Sequence, residues 1–334
     1  MEYHPFFIII VIINIIFGII FSFFNNNIFK DSSNSNNLNK INKKSIPIAY
    51  ATDNGYVYPT LVSMTSLLEN VKNETFYEIY ILINPELTEE NKQLLKTIEI
   101  KYENNCEIIF IDMGDKFKGE KTNQKIPTAA YYRLELHNLL SNKNRAIWLD
   151  GDTLVFEDLQ ELIKIDMKGN YIMGFLDNRI NALKKFGINN ATVLCSGVLL
   201  LDLNLLRKNK ISKKFEDFMI KERKKIDQHD QTIINVVCQG KLGVLPPKYG
   251  VWNFYVKKIA LRHNNKQRPH LKYNEDEFIK SFFHPAIMHF VYKPFNKYSF
   301  FKEWSDYAKR TGYFDECSSI IACCVYCIAM VCIP

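Results

Sequence analysis

The sequence predicts an α/β domain, a sheet of mostly parallel strands flanked by helices, carried behind a membrane-spanning N-terminal helix. Three observations lead there. From residue 46 onward short apolar runs alternate with helix-patterned segments, the order that builds parallel strands joined by crossover helices. Pro5–Phe24 is an almost unbroken apolar run, about the length that spans a bilayer as a helix. Between the two, residues 25–45 are rich in Asn, Ser and Lys and carry too little apolar surface to order themselves.

Each element has its own warrant. The N-terminal run is broken only by Asn14, Gly18 and Ser22. It opens Met1-Glu2-Tyr3-His4, without the Lys or Arg and the small-residue cleavage site of a signal peptide. Residues 1–24 therefore read as an uncleaved single-pass anchor and 25–45 as a flexible stem. Ile46–Ala51 is a short apolar run, read as a buried strand. Tyr58–Asn70 places Leu61, Met64 or Thr65, and Leu68 at helical spacing. Glu78–Ile83 alternates as a strand does. Thr88–Tyr102 sets Leu94, Leu95, Ile98 and Tyr102 on one helix face, with Thr88 as N-cap. Glu107–Ile111 is a strand, Ala129–Leu140 a helix, and Ala146–Leu149 and Tyr171–Leu176 are strands. The globular domain runs over residues 46–316, and 317–334 form a Cys-rich apolar tail too short for a clear span.

Composition narrows the function. The 334 residues are 47% hydrophobic and 24% charged, with net charge +7, ordinary for a globular protein of this length. No dense Lys/Arg block with interleaved aromatics is present, so nucleic acid is not an expected partner. A mildly basic surface suits nucleotide diphosphates or lipid headgroups. The eight cysteines show no zinc spacing, and a chain of this size does not need a disulfide scaffold.

In open α/β sheets ligands bind beyond the carboxyl ends of the strands. Asp53 and Asn54 follow the first predicted strand, and Asp150-Gly151-Asp152 follows the fourth. No GxGxxG follows the first strand, which argues against a dinucleotide fold. Two carboxylates one residue apart at a strand end can converge on a divalent cation, and the glycine between them permits a close approach. Such oxygen ligands suit magnesium or manganese, ions that bridge to substrate phosphates. D-x-D alone is a weak signal; its place directly after the buried-strand residues Trp148-Leu149 strengthens it.

The motifs in series are more specific. Ile48-Ala49-Tyr50-Ala51-Thr52-Asp53, Val62–Asn70, Tyr131-Tyr132-Arg133-Leu134, Ala146–Val155 with its D-x-D, Ser196–Leu203, Asp230-Gln231 and His289–Phe295 stand in one order along the chain. That series resembles glycosyltransferase family 8, over roughly Ile46 to Phe295. The resemblance implies a GT-A fold, with a Rossmann-like, mixed but mostly parallel sheet, and a retaining hexosyl transfer from a UDP-sugar, UDP-glucose or UDP-galactose, to a glycan, lipid or protein acceptor. It implies that Asp150, Asp152 and His289 bind the metal, and an imidazole beside two carboxylates favours manganese over magnesium. Further implied roles are Asp53, with Asn54 and Tyr56 beside it, at the donor's uracil or ribose; Arg133 and Asp177 at sugar hydroxyls; Gly151 and Cys195 at the donor; Lys293 at the phosphates; and Gln231, beside Asp230, under the anomeric carbon. A covalent route wants a carboxylate nucleophile, whereas Gln231 is an amide. The expected route is therefore front-face attack, with the leaving phosphate taking the acceptor proton.

The chain departs from the family's pattern in three places. His289-Phe290-Val291-Tyr292-Lys293-Pro294-Phe295 is two residues shorter than the usual H-x-x-G-x-x-K-P-W and lacks its glycine. Asp53-Asn54-Gly55-Tyr56 replaces D-D-N-Y, and Cys195 stands where Asn is usual. A thiol cannot supply an amide's paired donor and acceptor. The alternatives are a non-catalytic, membrane-anchored chain with a decayed transferase fold and a sugar-phosphate nucleotidyltransferase, which would normally show an early glycine-rich loop. The sequons Asn73-Glu74-Thr75 and Asn190-Ala191-Thr192 favour a domain in the ER or Golgi lumen. Lys30, Lys40, Lys43 and Lys44, which follow the anchor, argue for the opposite topology.

Overall fold

The computed structural model describes residues 43–120, 127–177, 179–252, 273–290 and 301–313. The chain divides into two units, Met1–Lys44 and Ser45–Pro334. The expected anchor and most of the stem, the tail and Lys293 lie outside the described residues. Among the described residues no helix is long and apolar enough to cross a membrane.

The strands are β1 (Lys44–Thr52), β2 (Thr75–Ile83), β3 (Cys106–Asp112), β4 (Arg145–Leu149), β5 (Thr153–Val155), β6 (Ile172–Leu176), β7 (Leu194–Asp202), β8 (Leu242–Val244), β9 (Tyr249–Trp252) and β10 (Ile287–His289). The helices used below are α1 (Val57–Glu69), α2 (Glu89–Lys101), α3 (Leu136–Leu139), α4 (Gln160–Ile163), α5 (Leu203–Lys208), α6 (Ile211–Glu222), α7 (His229–Val237), α8 (Glu275–Phe283) and α9 (Phe301–Arg310). A seven-stranded sheet runs β3-β2-β1-β4-β7-β6-β8. The β1–β4, β2–β3 and β6–β8 pairs are parallel, while β7 lies antiparallel to β4 and to β6. A second, three-stranded sheet runs β5-β10-β9.

Alternation along each central strand splits the core into two layers, as a sheet covered on both faces requires. In β4, Ile147 and Leu149 face one layer, with Leu61, Leu67 and Leu95 of α1 and α2. Ala146 and Trp148 face the other, with Tyr131, Leu206, Phe215 and Ile233. A third cluster, including Val62, Leu154, Phe175, Trp252, Phe290 and Trp304, surrounds the small sheet.

α1 is buried almost all round rather than along one stripe, because it meets both the large-sheet cluster and the small-sheet cluster. Its hydroxyls find partners there: Ser66 Oγ accepts from the Val155 amide at 2.9 Å, and Ser63 Oγ lies 2.8 Å from Thr153 Oγ1. That satisfies polar groups whose burial would otherwise cost stability. α2 begins as expected, with Thr88 Oγ1 accepting from the Asn91 amide.

The predicted helix Ala129–Leu140 is helical in the structure, but in two forms. Thr128–Glu135 is 3-10 helix, and only Leu136–Leu139 is α-helix. Arg133 Nε donates to the Ala130 carbonyl at 2.9 Å, taking an acceptor that an α-helix would offer to the amide of residue 134. Tyr131, Tyr132, Arg133, Leu134 and Glu135 are consecutively buried, so packing rather than helix propensity sets the geometry.

Candidate active site

The candidate site lies where β4 ends, between the large and small sheets. The Asp150 amide donates to the Gly197 carbonyl at 2.8 Å, and the Thr153 amide to the Asp150 carbonyl at 3.2 Å. The chain therefore turns over Gly151 and re-enters as β5. Gly151 has a reason within the protein: an added Cβ would stand 2.4 Å from Thr60 Oγ1 and 3.1 Å from the Tyr56 ring. β5 pairs antiparallel with β10, which brings His289 opposite Thr153. The Phe290 amide donates to the Asp152 carbonyl at 2.9 Å.

Each carboxylate has one oxygen clamped by the protein and one turned toward His289. Asp150 Oδ1 accepts from Trp148 Nε1 at 2.9 Å and pairs with an Arg133 nitrogen at 2.9 Å. Asp152 Oδ2 accepts from the Tyr56 hydroxyl at 2.5 Å. The other oxygens, Asp150 Oδ2 and Asp152 Oδ1, lie 3.6 Å and 3.1 Å from His289 Nε2. One ligand atom from each of the three residues lies within 4.8 Å of the other two. Two carboxylate oxygens and one imidazole nitrogen make a donor set that fits a divalent cation. Burial works against a charged imidazole, but Asp152 and Cys195 together outweigh it and His289 is held well above its ordinary pKa. Metal binding at Nε2 must displace that proton.

Behind the cluster, Arg133 is a brace. It is 5% exposed. Its Nε lies 3.1 Å from Asp230 Oδ2, one terminal nitrogen reaches Asp150, the other donates to the Ser196 carbonyl, and the guanidinium stacks 4.6 Å over Trp148. Burial, partly offset by Arg133, pushes the Asp230 carboxyl above its usual range. Gln231 is pinned at both ends: Nε2 donates to Asp177 Oδ2 at 2.8 Å, and Oε1 accepts from the Ser196 amide at 3.3 Å. Asp177 is also gripped by Arg179, whose Nε donates to Oδ2 at 2.8 Å.

The predicted residues thus fall into distinct groups. Asp150, Asp152 and His289 converge, with Tyr56, Gly151 and Arg133 against them. Asp177, Asp230 and Gln231 form an adjoining network linked through Arg133 and Ser196. Cys195 is buried, its sulfur 3.7 Å from His289 Nδ1. Asp53 closes a turn by accepting from the Gly55 amide at 2.9 Å. Asn54 points elsewhere: its amide donates to the Glu86 carbonyl, and its oxygen accepts from the Thr88 amide and from Asn91. It splices the β1–α1 turn to the start of α2.

Besides Ser196, three further contributors are not among the residues predicted for the site. Trp148 donates to Asp150. Gly197 lies flat under the His289 ring, where an added Cβ would stand 2.0 Å from Cε1. His229, just before Asp230-Gln231, holds φ at 48°, a conformation unfavourable for a residue with a side chain, while the Tyr131 hydroxyl lies 3.3 Å from its Nδ1. The glycine within Ser196-Gly197 is the available signal for the second; nothing local marks the other two.

Comparisons with known proteins bear on the family and the fold. The sequence model described as Glycosyl transferase family 8 matches residues 47–299. A Haemophilus influenzae protein named as a glycosyltransferase is 31% identical over 58% of this chain and 60% of its own length, so the chain spans less than two thirds of that relative. A lipopolysaccharide 1,2-glucosyltransferase of Escherichia coli is 25% identical over 67% of each chain. The crystal structure of the galactosyltransferase LgtC with donor and acceptor sugar analogues superposes with TM-score 0.66, at 20% identity, over 79% of this chain and 96% of that one. That likeness shows the shared α/β, GT-A-like fold.

Proposed function

The chain belongs to glycosyltransferase family 8, and we propose that it is a metal-dependent hexosyltransferase acting on a UDP-sugar, with retention at the anomeric carbon. The observation that carries this is the convergence of Asp150, Asp152 and His289 at the carboxyl end of β4. A decayed site would have no reason to keep one oxygen of each carboxylate clamped and the other aimed at the imidazole.

A divalent metal held by Asp150, Asp152 and His289 would neutralise charge on the departing diphosphate as a Lewis acid. The chain's own residues do the rest. Trp148, Tyr56 and Arg133 orient the two carboxylates. Asp53 closes the turn after β1, which supports a place for the donor's uracil or ribose. Asp177, Gln231 and Ser196 form a fixed polar wall, suited to sugar hydroxyls and the anomeric centre. Asp230 is buried and paired with Arg133, an environment that quenches a nucleophile. This supports same-face attack, with the diphosphate oxygen taking the acceptor's proton. A glycosyl adduct trapped on Asp230 would refute that route.

Glucose or galactose is the proposed sugar, manganese the proposed ion, and a glycan, lipid or protein the acceptor. Residues 1–24 are proposed as a single-pass anchor with the domain in the ER or Golgi lumen. Support for the lumen comes from the two sequon asparagines, Asn73 and Asn190, which are exposed. Unchanged gel mobility on enzymatic deglycosylation would count against it. The decisive experiment incubates the purified full chain with UDP-glucose, UDP-galactose, UDP-GlcNAc and UDP-xylose and follows UDP release. Release from one donor, lost with a chelator and in Asp152→Asn, is expected. Absence of both release and metal-dependent UDP binding would defeat the proposal.

A further inference from the structure

The two nitrogens of His289 have different neighbours. Nε2 faces Asp152 Oδ1 and Asp150 Oδ2. Nδ1 faces the sulfur of Cys195 at 3.7 Å, a separation at which the larger sulfur atom can take part in a hydrogen bond. The ring has little room to turn away. Gly197 lies directly beneath it, with the space for a Cβ already filled by Cε1, Nδ1 and Nε2. His289 itself sits in a strand paired on both sides, to β5 and to β9.

A neutral imidazole carries one proton on one nitrogen, and a metal binds the other. Metal-binding histidines are commonly set by whatever accepts from the far N–H. Here the groups around the cluster divide that labour. Asp150 and Asp152 stand on the Nε2 side. On the Nδ1 side stands a thiol, set among Phe175, Val251, Trp252, Met288 and Phe290. In those apolar surroundings an Nδ1–H would lose its water partners, and sulfur, though a weak acceptor, is placed among the described residues to replace them.

We propose that Cys195 is a positioning residue: its sulfur accepts a hydrogen bond from His289 Nδ1–H and so holds the ring in the tautomer whose Nε2 can bind a divalent metal. The assignment moves Cys195 from the sugar, where the family resemblance would put it, to the back of the metal site. It rests on the metal-site reading above. It also gives this chain's cysteine a use of its own, since the thiol stands where an amide is usual and does a job that needs only an acceptor.

The test separates a hydrogen bond from simple packing. Mn2+ affinity of the full chain, with UDP present, is measured by electron paramagnetic resonance for wild type and for Cys195→Ser, Cys195→Val and Cys195→Ala. Serine keeps an acceptor and loses volume; valine keeps the apolar volume and loses the acceptor. The proposal expects Val and Ala to weaken Mn2+ binding about 10-fold or more, the size seen when a ligand's supporting partner is removed, with Ser closer to wild type than either. If Cys195 only fills space, the order reverses, with Val near wild type and Ser no better than Ala. That reversal, or equal affinity for Ser and Val, overturns the proposal. Melting of the metal-free variants identifies any that fail to fold, and the Ser–Val comparison survives loss of Ala. A wild-type chain that binds no Mn2+ would instead defeat the metal-site reading, a different and recognisable failure.

Discussion

Gly197→Ala is the sharpest perturbation the structure offers. A methyl group there would stand 2.0 Å from His289 Cε1, 2.6 Å from Nδ1 and 2.7 Å from Nε2, and real Cβ contacts essentially never fall below 3.0 Å. The ring or a backbone must therefore give way by about 1 Å. The backbone on the histidine side is fixed by pairing to Thr153 and Trp252, and Gly197 is held on its own side by the Asp150 amide. The imidazole is the part that yields. Metal–ligand distances tolerate deviations of about 0.2 Å, so the shift exceeds the tolerance several times over. Mn2+ affinity should fall by about 10- to 100-fold, with about 1–3 kcal/mol of stability lost to overpacking. Electron paramagnetic resonance with UDP present reads the first, and denaturant unfolding of the metal-free protein the second. A folded Gly197→Ala protein with unchanged Mn2+ affinity would refute the reasoning.

Other substitutions separate the parts of the site. Tyr56→Phe takes the hydroxyl from Asp152 Oδ2 and should weaken Mn2+ binding about 10-fold while changing stability by only about 1 kcal/mol; a larger change in stability than in affinity would show that Tyr56 serves the fold. Arg133→Met leaves Asp230 buried without its cation and should cost about 3–5 kcal/mol in urea unfolding, part of it recovered by adding Asp230→Asn; no recovery would break the assigned pairing. Away from the site, burial, with Arg207 and Lys116 acting in the same direction and Glu135 against it, pulls the His137 imidazole down to about 4 from 6.5. The unfolded chain then binds this proton more readily. Stability should be intact above pH 6.5 and decline toward pH 4, by about 3 kcal/mol from this group. His137→Gln should flatten that decline, and an unchanged pH slope would exclude His137 as its source.

The large sheet is legible in the sequence because its strands are long and its helices periodic. β1, β2 and β4 and the capped α2 stand close to their expected positions, and the apolar run ending at Leu149 is enough to put the D-x-D at a strand end. The small sheet is not legible in this way. β5, β9 and β10 are three or four residues each, too short for a period-two pattern to stand out. Yet they carry His289 to Asp152, so the third metal-binding candidate rests on family resemblance rather than periodicity. The stretch Ala129–Leu140 reads as helical in the sequence and is helical, but the 3-10 form of Thr128–Glu135 is not legible there, because it goes with where the Arg133 guanidinium is placed, a fact of tertiary packing. The contacts of Cys195 and Gly197 with His289 join residues more than ninety positions apart, and no spacing along a single chain reveals them.

β7 bears on how such an enzyme can change. Between the Gly174–Leu199 and Leu176–Leu194 pairs β7 has four residues, 195–198, where β6 has one, a register irregularity of the bulge kind found beside active sites, and three of the four form the tripeptide Cys195-Ser196-Gly197. Within that tripeptide Cys195 backs His289, Ser196 uses its amide on Gln231 and its carbonyl on Arg133, and Gly197 holds Asp150 and makes room for the imidazole. The Asp150–Asp152–His289 cluster, the Arg133 brace and the Asp177–Gln231 pair are thus joined through one junction instead of three. Substitutions here should combine with those at Gln231 or Arg133 in a strongly non-additive way. Under the proposed function, a substitution in this bulge that shifts sugar preference should shift metal affinity with it.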